Sequence, residues 1–261
     1  MEMELLIQWK DTCYQPVVHD DVKWSLERKG APGKLEFTVL KDDTLKFEEG
    51  AVVRLRIDST NVFFGFVFKK SYDKEKNIKV TAYDQLRYLK NKDTYVYKNK
   101  TATELVKMIA NDFNLNVGQM DDTYHKIATK VEDNQTLFDI IQNALDDTLM
   151  NRSEIYVLYD DFGKLRLSYV EFLKVGILID AETAETLDYS SSIDGETYNK
   201  IKLVRENEET GKRDVYIAQH GVNMNTWGVL QYFDTVDENE NASAKANALL
   251  KLYNKKTKGL K

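Results

Sequence analysis

The strongest constraint on the fold is an alternation of apolar and polar residues in the N-terminal part of the chain. Leu35, Phe37 and Val39 are separated by polar residues, and Val53 and Leu55 follow the same pattern. A period of two residues is typical of strands that bury one face. Several short strands of this kind, separated by turn residues, predict a small β-barrel at the start of the chain.

One apolar run, from Val62 to Phe68, interrupts this alternation and predicts a central, bent strand. Gly65 lies at its centre, where a bulge or a sharp bend is accommodated. We interpret its phenylalanines as barrel core rather than as a ligand pocket: Phe63, Phe64, Phe66 and Phe68. The three tryptophans are interpreted as core or interface anchors rather than a sugar-binding platform: Trp9, Trp24 and Trp227.

From Thr101 the apolar period changes to that of a helix. Thr101 and Glu104 fit a capping box. Two amphipathic helices follow, each with its apolar residues on one face. The first helix has Leu105, Met108, Ile109 and Phe113 on that face, and the second has Leu137, Ile140, Ile141, Ala144 and Leu145. The middle of the chain is therefore predicted to be αβ.

A β-hairpin is predicted after the second helix. Strands at 155–159 and 165–169 flank Asp160-Asp161-Phe162-Gly163, and Gly163 can adopt the positive φ of a tight turn. Asp161-Phe162-Gly163 also spells the metal-binding tripeptide of kinases. No glycine-rich loop or His-Arg-Asp accompanies it, so we interpret it as a turn.

The C-terminal third begins with a polar stretch, 181–196, whose composition favours a linker or long loop. Three further strands are predicted beyond it, at 198–204, 214–219 and 228–233. Helical spacing from Asn241 to Tyr253 predicts a terminal helix, and the basic residues from Lys255 to Lys258 predict a frayed tail.

Charge and composition exclude several classes of function. The formal net charge of -6 has the wrong sign for a protein whose main partner is a phosphate backbone. We expect no specific nucleic-acid partner. No apolar run approaches the length of a membrane span, so we expect no stable membrane insertion. The acidic N-terminus does not resemble a secretory signal, which predicts synthesis in a cytoplasm. The single cysteine, Cys13, excludes an internal disulfide framework.

The sequence contains no recognisable catalytic constellation. His19, His125 and His220 are isolated from other metal-ligand residues, and we interpret none of them as a ligand. Two carboxylates can catalyse glycoside hydrolysis, but neighbouring strand side chains point apart and acidic pairs in loops are usually solvated. Five such pairs occur: Asp20-Asp21, Asp42-Asp43, Asp121-Asp122, Asp146-Asp147 and Asp160-Asp161. We therefore predict a structural protein with no catalytic residues, no metal site and no cofactor, and with interface residues that the sequence does not identify.

One segment is recognisable. Val80 to Leu89, followed by Asn91 to Ala102, resembles the baseplate hub family of contractile phage tails. The resemblance continues through Ile109 to Phe113 and Leu137 to Ile141. It is weaker beyond residue 170, where only Tyr198 to Val204 is similar. Hubs of defective prophages and R-type bacteriocins are the most similar members.

The resemblance implies a β-rich α+β fold with two small Tudor-like β-barrels, an αβ middle domain and a C-terminal helix. The implied domains are a first barrel at 1–97, the middle domain at 98–183, a second barrel at 184–240 and the helix and tail at 241–261. It further implies a homotrimer whose six barrels form a ring. That ring would join the hexameric tail tube to the central spike, contact other baseplate proteins and be released with the tail particle. The short C-terminal end implies no fused hydrolase domain.

Two alternatives remain open. Residues 101 to 118 faintly resemble a LysM-type strand and helix, which would indicate a protein that binds or hydrolyses peptidoglycan. A different tail component, such as a tube initiator or adaptor, is the second alternative, and it would form hexamers.

Overall fold

A computed structural model describes residues 2–40, 42–176, 188–207, 211–236 and 241–260. The chain divides into two units, Met1–Lys174 and Val175–Lys261. The predicted boundary at 183/184 and part of the predicted linker lie outside the described residues. The four predicted domain ranges stay a prediction.

The first unit begins with an antiparallel sheet of seven strands in the order β2-β1-β5-β6-β7-β4-β3. The strands are β1 (Met3–Trp9), β2 (Thr12–Tyr14), β3 (Lys23–Ser25), β4 (Lys34–Val39), β5 (Val52–Ile57), β6 (Thr60–Tyr72) and β7 (Ile78–Tyr83). No pairing between β2 and β3 closes this sheet within the part of the chain that the structure describes, so the Tudor-like barrel is not confirmed.

The predicted alternation is confirmed in the core of this sheet. Leu35, Phe37, Val39, Val53 and Leu55 are all buried. Burying alternate side chains of paired strands removes one whole apolar face from water, at about 25 cal/mol per Å² of apolar surface. This face is the main source of stability for the sheet.

The phenylalanines of β6 do not all belong to that core. Phe63 is buried in it, whereas Phe64, Phe66 and Phe68 are half-buried on the opposite face. The prediction of barrel core is therefore wrong for these three residues. The physical reason is the pleat, because successive side chains of one strand point to opposite faces even where every residue is apolar.

Gly65 allows the backbones of β6 and β7 to approach each other closely, and it does not form a bulge at its own position. A Cβ there would lie 2.3 Å from the carbonyl oxygen of Tyr83 in β7. The register shift between β6 and β7 occurs two residues later, between Val67 and Lys69. Glycine thus lets the β6 backbone pack against β7 where the strands begin to pair.

The rest of the first unit is αβ, as predicted. Its elements are a 3₁₀ turn (Gln85–Lys90), β8 (Lys92–Lys100), α1 (Ala102–Asp112), β9 (Val117–Met120), β10 (Ile127–Thr136), α2 (Leu137–Arg152), β11 (Tyr156–Asp160), β12 (Leu165–Tyr169) and a second 3₁₀ turn (Val170–Leu173). β8 and β10 form an antiparallel ribbon, and β12 lies between β11 and β9, parallel to β9. The predicted hairpin of β11 and β12 is confirmed.

Both predicted helices are confirmed with their apolar faces, and the capping box predicted for α1 is confirmed as well. The Thr101 hydroxyl accepts a hydrogen bond from the Glu104 amide, and the Glu104 carboxylate accepts one from the Thr101 amide. All five apolar residues predicted for the face of α2 are buried. On α1, Leu105 and Ile109 are buried and Met108 and Phe113 pack partly against the same core.

Within its described residues, the second unit has two sheets and two helices. Its elements are β13 (Tyr189–Ser192), β14 (Lys200–Asn207), β15 (Lys212–Gln219), α3 (Gly221–Trp227), β16 (Gln231–Thr235), α4 (Ala242–Tyr253) and β17 (Thr257–Leu260). β14 lies between β15, to which it is antiparallel, and β16, to which it is parallel. The terminal helix α4 is confirmed, and α3 was not predicted.

Two predictions for this unit are wrong. The polar stretch that was predicted as a linker contains β13, and the predicted frayed tail contains β17. These two strands pair with each other, with Ser190 opposite Gly259. Backbone hydrogen bonds thus hold these two strands together, although their side chains lack the alternating apolar pattern that predicts a strand.

Candidate functional site

One buried polar group, the carboxyl of Asp84, lies directly after β7. It is 3% exposed. One of its oxygens accepts a hydrogen bond from the Gly33 amide (2.8 Å), and the other accepts one from the Leu86 amide (3.0 Å). Asp84 therefore caps the 3₁₀ turn and ties it to the residue before β4.

A second carboxyl, that of Asp160 at the end of β11, acts on Asp84 through its charge. Asp160 accepts hydrogen bonds from the Gly163 amide (2.6 Å) and from Nε2 of Gln85 (2.9 Å). The Gln85 side chain also accepts a hydrogen bond from the Asn116 amide (3.0 Å). Residues 84 and 85 thus join the first sheet, the start of β9 and the hairpin turn.

Burial raises the pKa of both carboxyls. The pKa of Asp84 is raised to about 8, first by desolvation and then by the negative charge of Asp160. Desolvation raises the pKa of Asp160 to about 6, against the lowering effect of its hydrogen bonds from Gly163 and Gln85. Perturbed carboxyl pairs are often catalytic. Here all four oxygens are occupied by donors from the protein itself, so the arrangement suits a structural joint.

Sequence reasoning missed Asp84 and placed Asp160 wrongly among solvated loop carboxylates. A local signal existed for Asp84, because an aspartate before a short helical turn is a common N-cap. Its burial depends on contacts with Gly33, far away in the chain, which no local pattern reveals. Asp161 does follow the prediction, since it is exposed and pairs with Arg166 (2.9 Å).

The other candidate residues are dispersed. His220 caps α3 by accepting a hydrogen bond from the Asn223 amide (3.3 Å), and the His19 amide donates to the Thr38 carbonyl (2.9 Å). Among the described residues, no three or more His, Cys, Asp or Glu side chains gather as metal ligands do. No described helix combines the length and the apolar character that a bilayer crossing requires.

An aromatic layer covers the outer face of the first sheet. Phe64 contacts Phe162 of the hairpin turn, with ring centroids 5.7 Å apart, and Phe68 contacts Tyr88 of the 3₁₀ turn at 6.0 Å. The Arg54 guanidinium lies over the Phe64 ring at 5.8 Å. Aromatic pairs contribute about 0.5–1.5 kcal/mol each beyond area burial. This layer packs the hairpin onto the sheet beside the carboxyl pair.

Exposed apolar side chains form several groups on the described residues, among them one at the edge of the seven-stranded sheet and one on a sheet of the second unit. The first, named here the β3 edge patch, consists of Trp24 and Leu26, which are 45 and 59% exposed. Val17 and Leu40 are also exposed, but they lie at the other end of β4, because Trp24 is opposite Leu35. The Leu40 amide donates to the Val17 carbonyl (2.9 Å), so these two residues are neighbours. Trp24 is exposed and therefore does not belong to the core, and its role as an interface anchor stays a prediction, whereas Trp9 packs partly against the core.

The second surface, named here the β15 face, lies on the sheet of the second unit. Ile217, Lys202 and Phe233 are direct neighbours across β15, β14 and β16. Ile217 is 53% exposed and Phe233 is 54% exposed. Val215 is also exposed and shares this face, because it lies two residues before Ile217. An exposed apolar row on a folded sheet is typical of an interaction surface.

Comparison with known proteins gives a consistent set of relatives. The model of the YQBQ-like family matches residues 22–261. The phage-like element PBSX protein XkdQ of Bacillus subtilis (strain 168) is 32% identical over 255 residues, which cover 95% of this chain and 77% of that protein. Protein YqbQ of the same strain is 31% identical over 259 residues, covering 97% of this chain and 78% of its own length.

Solved structures share the fold. The 43 kDa tail protein of prophage MuSo2 from Shewanella oneidensis matches with a TM-score of 0.69 at 15% identity, over 96% of this chain and 78% of that one. The prophage tail protein gp18 from Listeria monocytogenes EGD-e matches with a TM-score of 0.62 at 13% identity, over 98% of this chain and 79% of that one.

Proposed function

This chain belongs to the YQBQ-like family of phage tail and baseplate-related proteins, and on that premise we propose that it is a non-enzymatic baseplate hub protein of a contractile tail. Three copies form a ring that joins the hexameric tail tube to the central spike, and the ring contacts other baseplate proteins. The tail belongs to a phage, a prophage or an R-type bacteriocin. The protein is made in the bacterial cytoplasm and leaves the cell as part of the particle.

The observation that carries this proposal is the similarity to XkdQ, a protein of the phage-like element PBSX, over 95% of the chain. The similarity extends through both units. A shared whole-chain organisation favours a shared role more than similarity of a single domain does.

The geometry of the molecule supports a structural role. Asp84 and Asp160, the carboxyl pair with the strongest perturbation, use their oxygens to hold three segments together. The exposed apolar surfaces lie on two different sheets, one in each unit. In the proposed ring the seven-stranded sheet and the sheet of β14 to β16 are the two β-modules of each copy, in the place of the expected Tudor-like barrels. Three copies then present six modules, which matches a six-fold tube.

The test is the native mass of the purified protein at micromolar concentration, alone and mixed with the tube and spike proteins of the same particle. We expect a mass of three times 30.3 kDa. A hexamer would favour a tube initiator or adaptor. A monomer that stays monomeric with both partners would overturn the hub proposal.

A second measurement addresses the peptidoglycan alternative. Purified cell walls are mixed with the protein and sedimented, and the supernatant is tested for released muropeptides. The hub proposal predicts that the protein stays in solution and releases none. Tight cell-wall binding or muropeptide release would replace the hub proposal by that alternative.

A further inference from the structure

We propose that the ribbon of β13 and β17 is extended from one copy of this chain to the next, because the outer edge of β17 pairs with the outer edge of β13 in a second copy. The inference rests on the proposed trimer and identifies a contact that holds it together. The occupant of each outer edge is therefore the complementary strand of another copy.

The ribbon is an incomplete sheet within one copy. It consists of two strands of four residues each, and no further strand pairs with it in the part of the chain that the structure describes. All four residues of β13 are exposed, and so are residues 257–259 of β17. Two strands without a third strand or a packed apolar face are only marginally stable in water. Their outer edges present backbone N–H and C=O groups that can pair with another chain.

The charges around the two strands are segregated by sign. Segment 188–196, which contains β13, has no Lys or Arg and three exposed acidic residues: Asp188, Asp194 and Glu196. Segment 254–260, which contains β17, has no Asp or Glu and three exposed lysines: Lys255, Lys256 and Lys258. Among the described residues, no ion pair joins these acidic side chains to these lysines. Both sets of charges can therefore act on a second copy.

These signs favour pairing of β17 with β13 over pairing of either strand with its own equivalent. Two antiparallel β17 strands would bring Lys256 and Lys258 of one copy beside the same lysines of the other. Like charges across a strand pair are destabilising. Two β13 strands would likewise bring acidic residues together. Between β17 of one copy and β13 of another, the charges that meet have opposite signs.

The direction of the strands fits a closed ring. β13 and β17 are antiparallel within one copy. In a ring whose axis lies along the strands, β13 has the same direction in every copy, so β17 is also antiparallel to β13 of the next copy. The lysines that precede β17 then lie at the same end as the acidic residues that follow β13 of the next copy. This contact is heterologous, and such contacts close into rings when the rotation between copies permits.

Cysteine cross-linking between two chains tests the contact directly. Cys13, the single cysteine, is first replaced by Cys13→Ser in both chains. One chain then receives a cysteine in β13 and the other, which carries an affinity tag, receives Lys258→Cys in β17. Ser190, Ser191 and Ser192 are replaced by cysteine one at a time, because a disulfide requires close strand neighbours and the three positions sample the possible registers.

The two chains are produced in the same cells, purified together and mildly oxidised. Each chain has one cysteine, so a disulfide can only join two copies. We expect a tagged–untagged heterodimer of about twice 30.3 kDa on a denaturing gel, and we expect reduction to abolish it. The control chain carries Lys98→Cys, at an exposed lysine of β8, in place of Lys258→Cys. It is expected to form no cross-link with any of the β13 positions.

Two cross-linking results would overturn the inference while the unmodified chain is trimeric. The first is the absence of a heterodimer at all three β13 positions. The second is a predominance of homodimers, which would mean that a strand pairs with its own equivalent. In both cases the hub proposal stands.

Charge reversal gives a second measurement. Lys256→Glu combined with Lys258→Glu is expected to lose the trimer in a native mass measurement. The matched control makes the same change in charge at two exposed lysines of β8, Lys92→Glu and Lys98→Glu, and is expected to remain trimeric. A trimer of the first variant would contradict the inference. A chain that does not trimerise alone or with the tube and spike proteins contradicts the hub proposal itself, and the inference falls with it.

Discussion

The buried carboxyl of Asp84 makes the stability of this protein depend on pH in an unusual direction. A buried acid whose pKa is raised binds its proton more tightly in the folded than in the unfolded chain. Stability is then highest below the unfolded pKa near 4 and falls as pH rises towards the folded pKa. Hydrogen bonds to carboxylates usually produce the opposite slope, in which acid destabilises.

We predict that the free energy of unfolding decreases between pH 4 and pH 8. The reason is that folding raises the pKa of Asp84 to about 8 and that of Asp160 to about 6. The expected decrease from this pair is roughly 5–9 kcal/mol, because each pH unit between the unfolded and the folded pKa contributes about 1.4 kcal/mol. Urea denaturation at a series of pH values measures it. Asp84→Asn is expected to flatten the slope and to cost about 1–3 kcal/mol at low pH, because an amide accepts from only one of the two backbone donors.

The matched control is Asp11→Asn, an exposed carboxylate in the turn between β1 and β2. It is expected to leave the pH dependence unchanged. If Asp84→Asn and the unmodified protein have parallel pH profiles, the carboxyl of Asp84 is not protonated in the folded state at neutral pH.

A second prediction at the residue scale concerns Gly65. An alanine Cβ there would lie 2.3 Å from the Tyr83 carbonyl oxygen, and a backbone atom in a paired strand cannot move aside easily. Gly65→Ala is expected to cost about 2–4 kcal/mol. Gly221→Ala is the control, because nothing lies within 4 Å of its Cβ. Equal urea midpoints for the two variants would contradict the close approach of β6 and β7.

At the scale of elements, the capping box of α1 gives a direct test of local structure. Thr101→Ala removes the acceptor of the Glu104 amide in a buried position, with an expected cost of about 1 kcal/mol. Thr101→Ser keeps the acceptor oxygen and is expected to recover most of that loss. Thermal unfolding of the two variants distinguishes loss of the cap from loss of the methyl group.

The elements also show which parts of the fold were predictable from the sequence. The helices α1, α2 and α4 and the β11–β12 hairpin depend on signals within a few residues, such as a cap, an apolar period or a turn glycine. The pairing of β13 with β17 joins polar segments from opposite ends of the second unit. No local pattern specifies it, because its strands are held by backbone groups that every residue carries.

The side chains of the candidate surfaces show the same difference between features set by local sequence and features set by distant segments. The side chains of β6 were known to be aromatic, but which of them face the core depends on the register with β5 and β7. The burial of Asp84 depends on Gly33 in the same way. Partners distant in sequence decide both features. The sequence therefore identified the aromatic residues of β6 without showing which of them face the core, and it missed Asp84.

At the scale of the whole molecule, the first unit contains two hydrophobic cores. One consists of residues between Leu5 and Ala82, and the other of residues between Leu86 and Leu167. The Asp84–Gln85–Asp160 contacts and the Phe64–Phe162 contact join the elements around these cores. Both cores and these joining contacts lie within Met1–Lys174.

We therefore predict that a fragment of residues 1–174 folds on its own, with one cooperative thermal transition. Circular dichroism measures both properties. A fragment that is unfolded would mean that the second unit is required for the stability of the first.

The shorter fragment 1–97 tests the predicted boundary at 97/98, which falls inside β8. This fragment keeps the seven strands but separates Leu86, Leu89, Tyr95 and Tyr97 from the rest of their core. Exposed apolar surface of that kind promotes aggregation, so we expect fragment 1–97 to precipitate under conditions in which fragment 1–174 stays soluble. A soluble, cooperatively folded fragment 1–97 would instead support two independent domains, and the joint at Asp84 would then be dispensable for folding of the sheet.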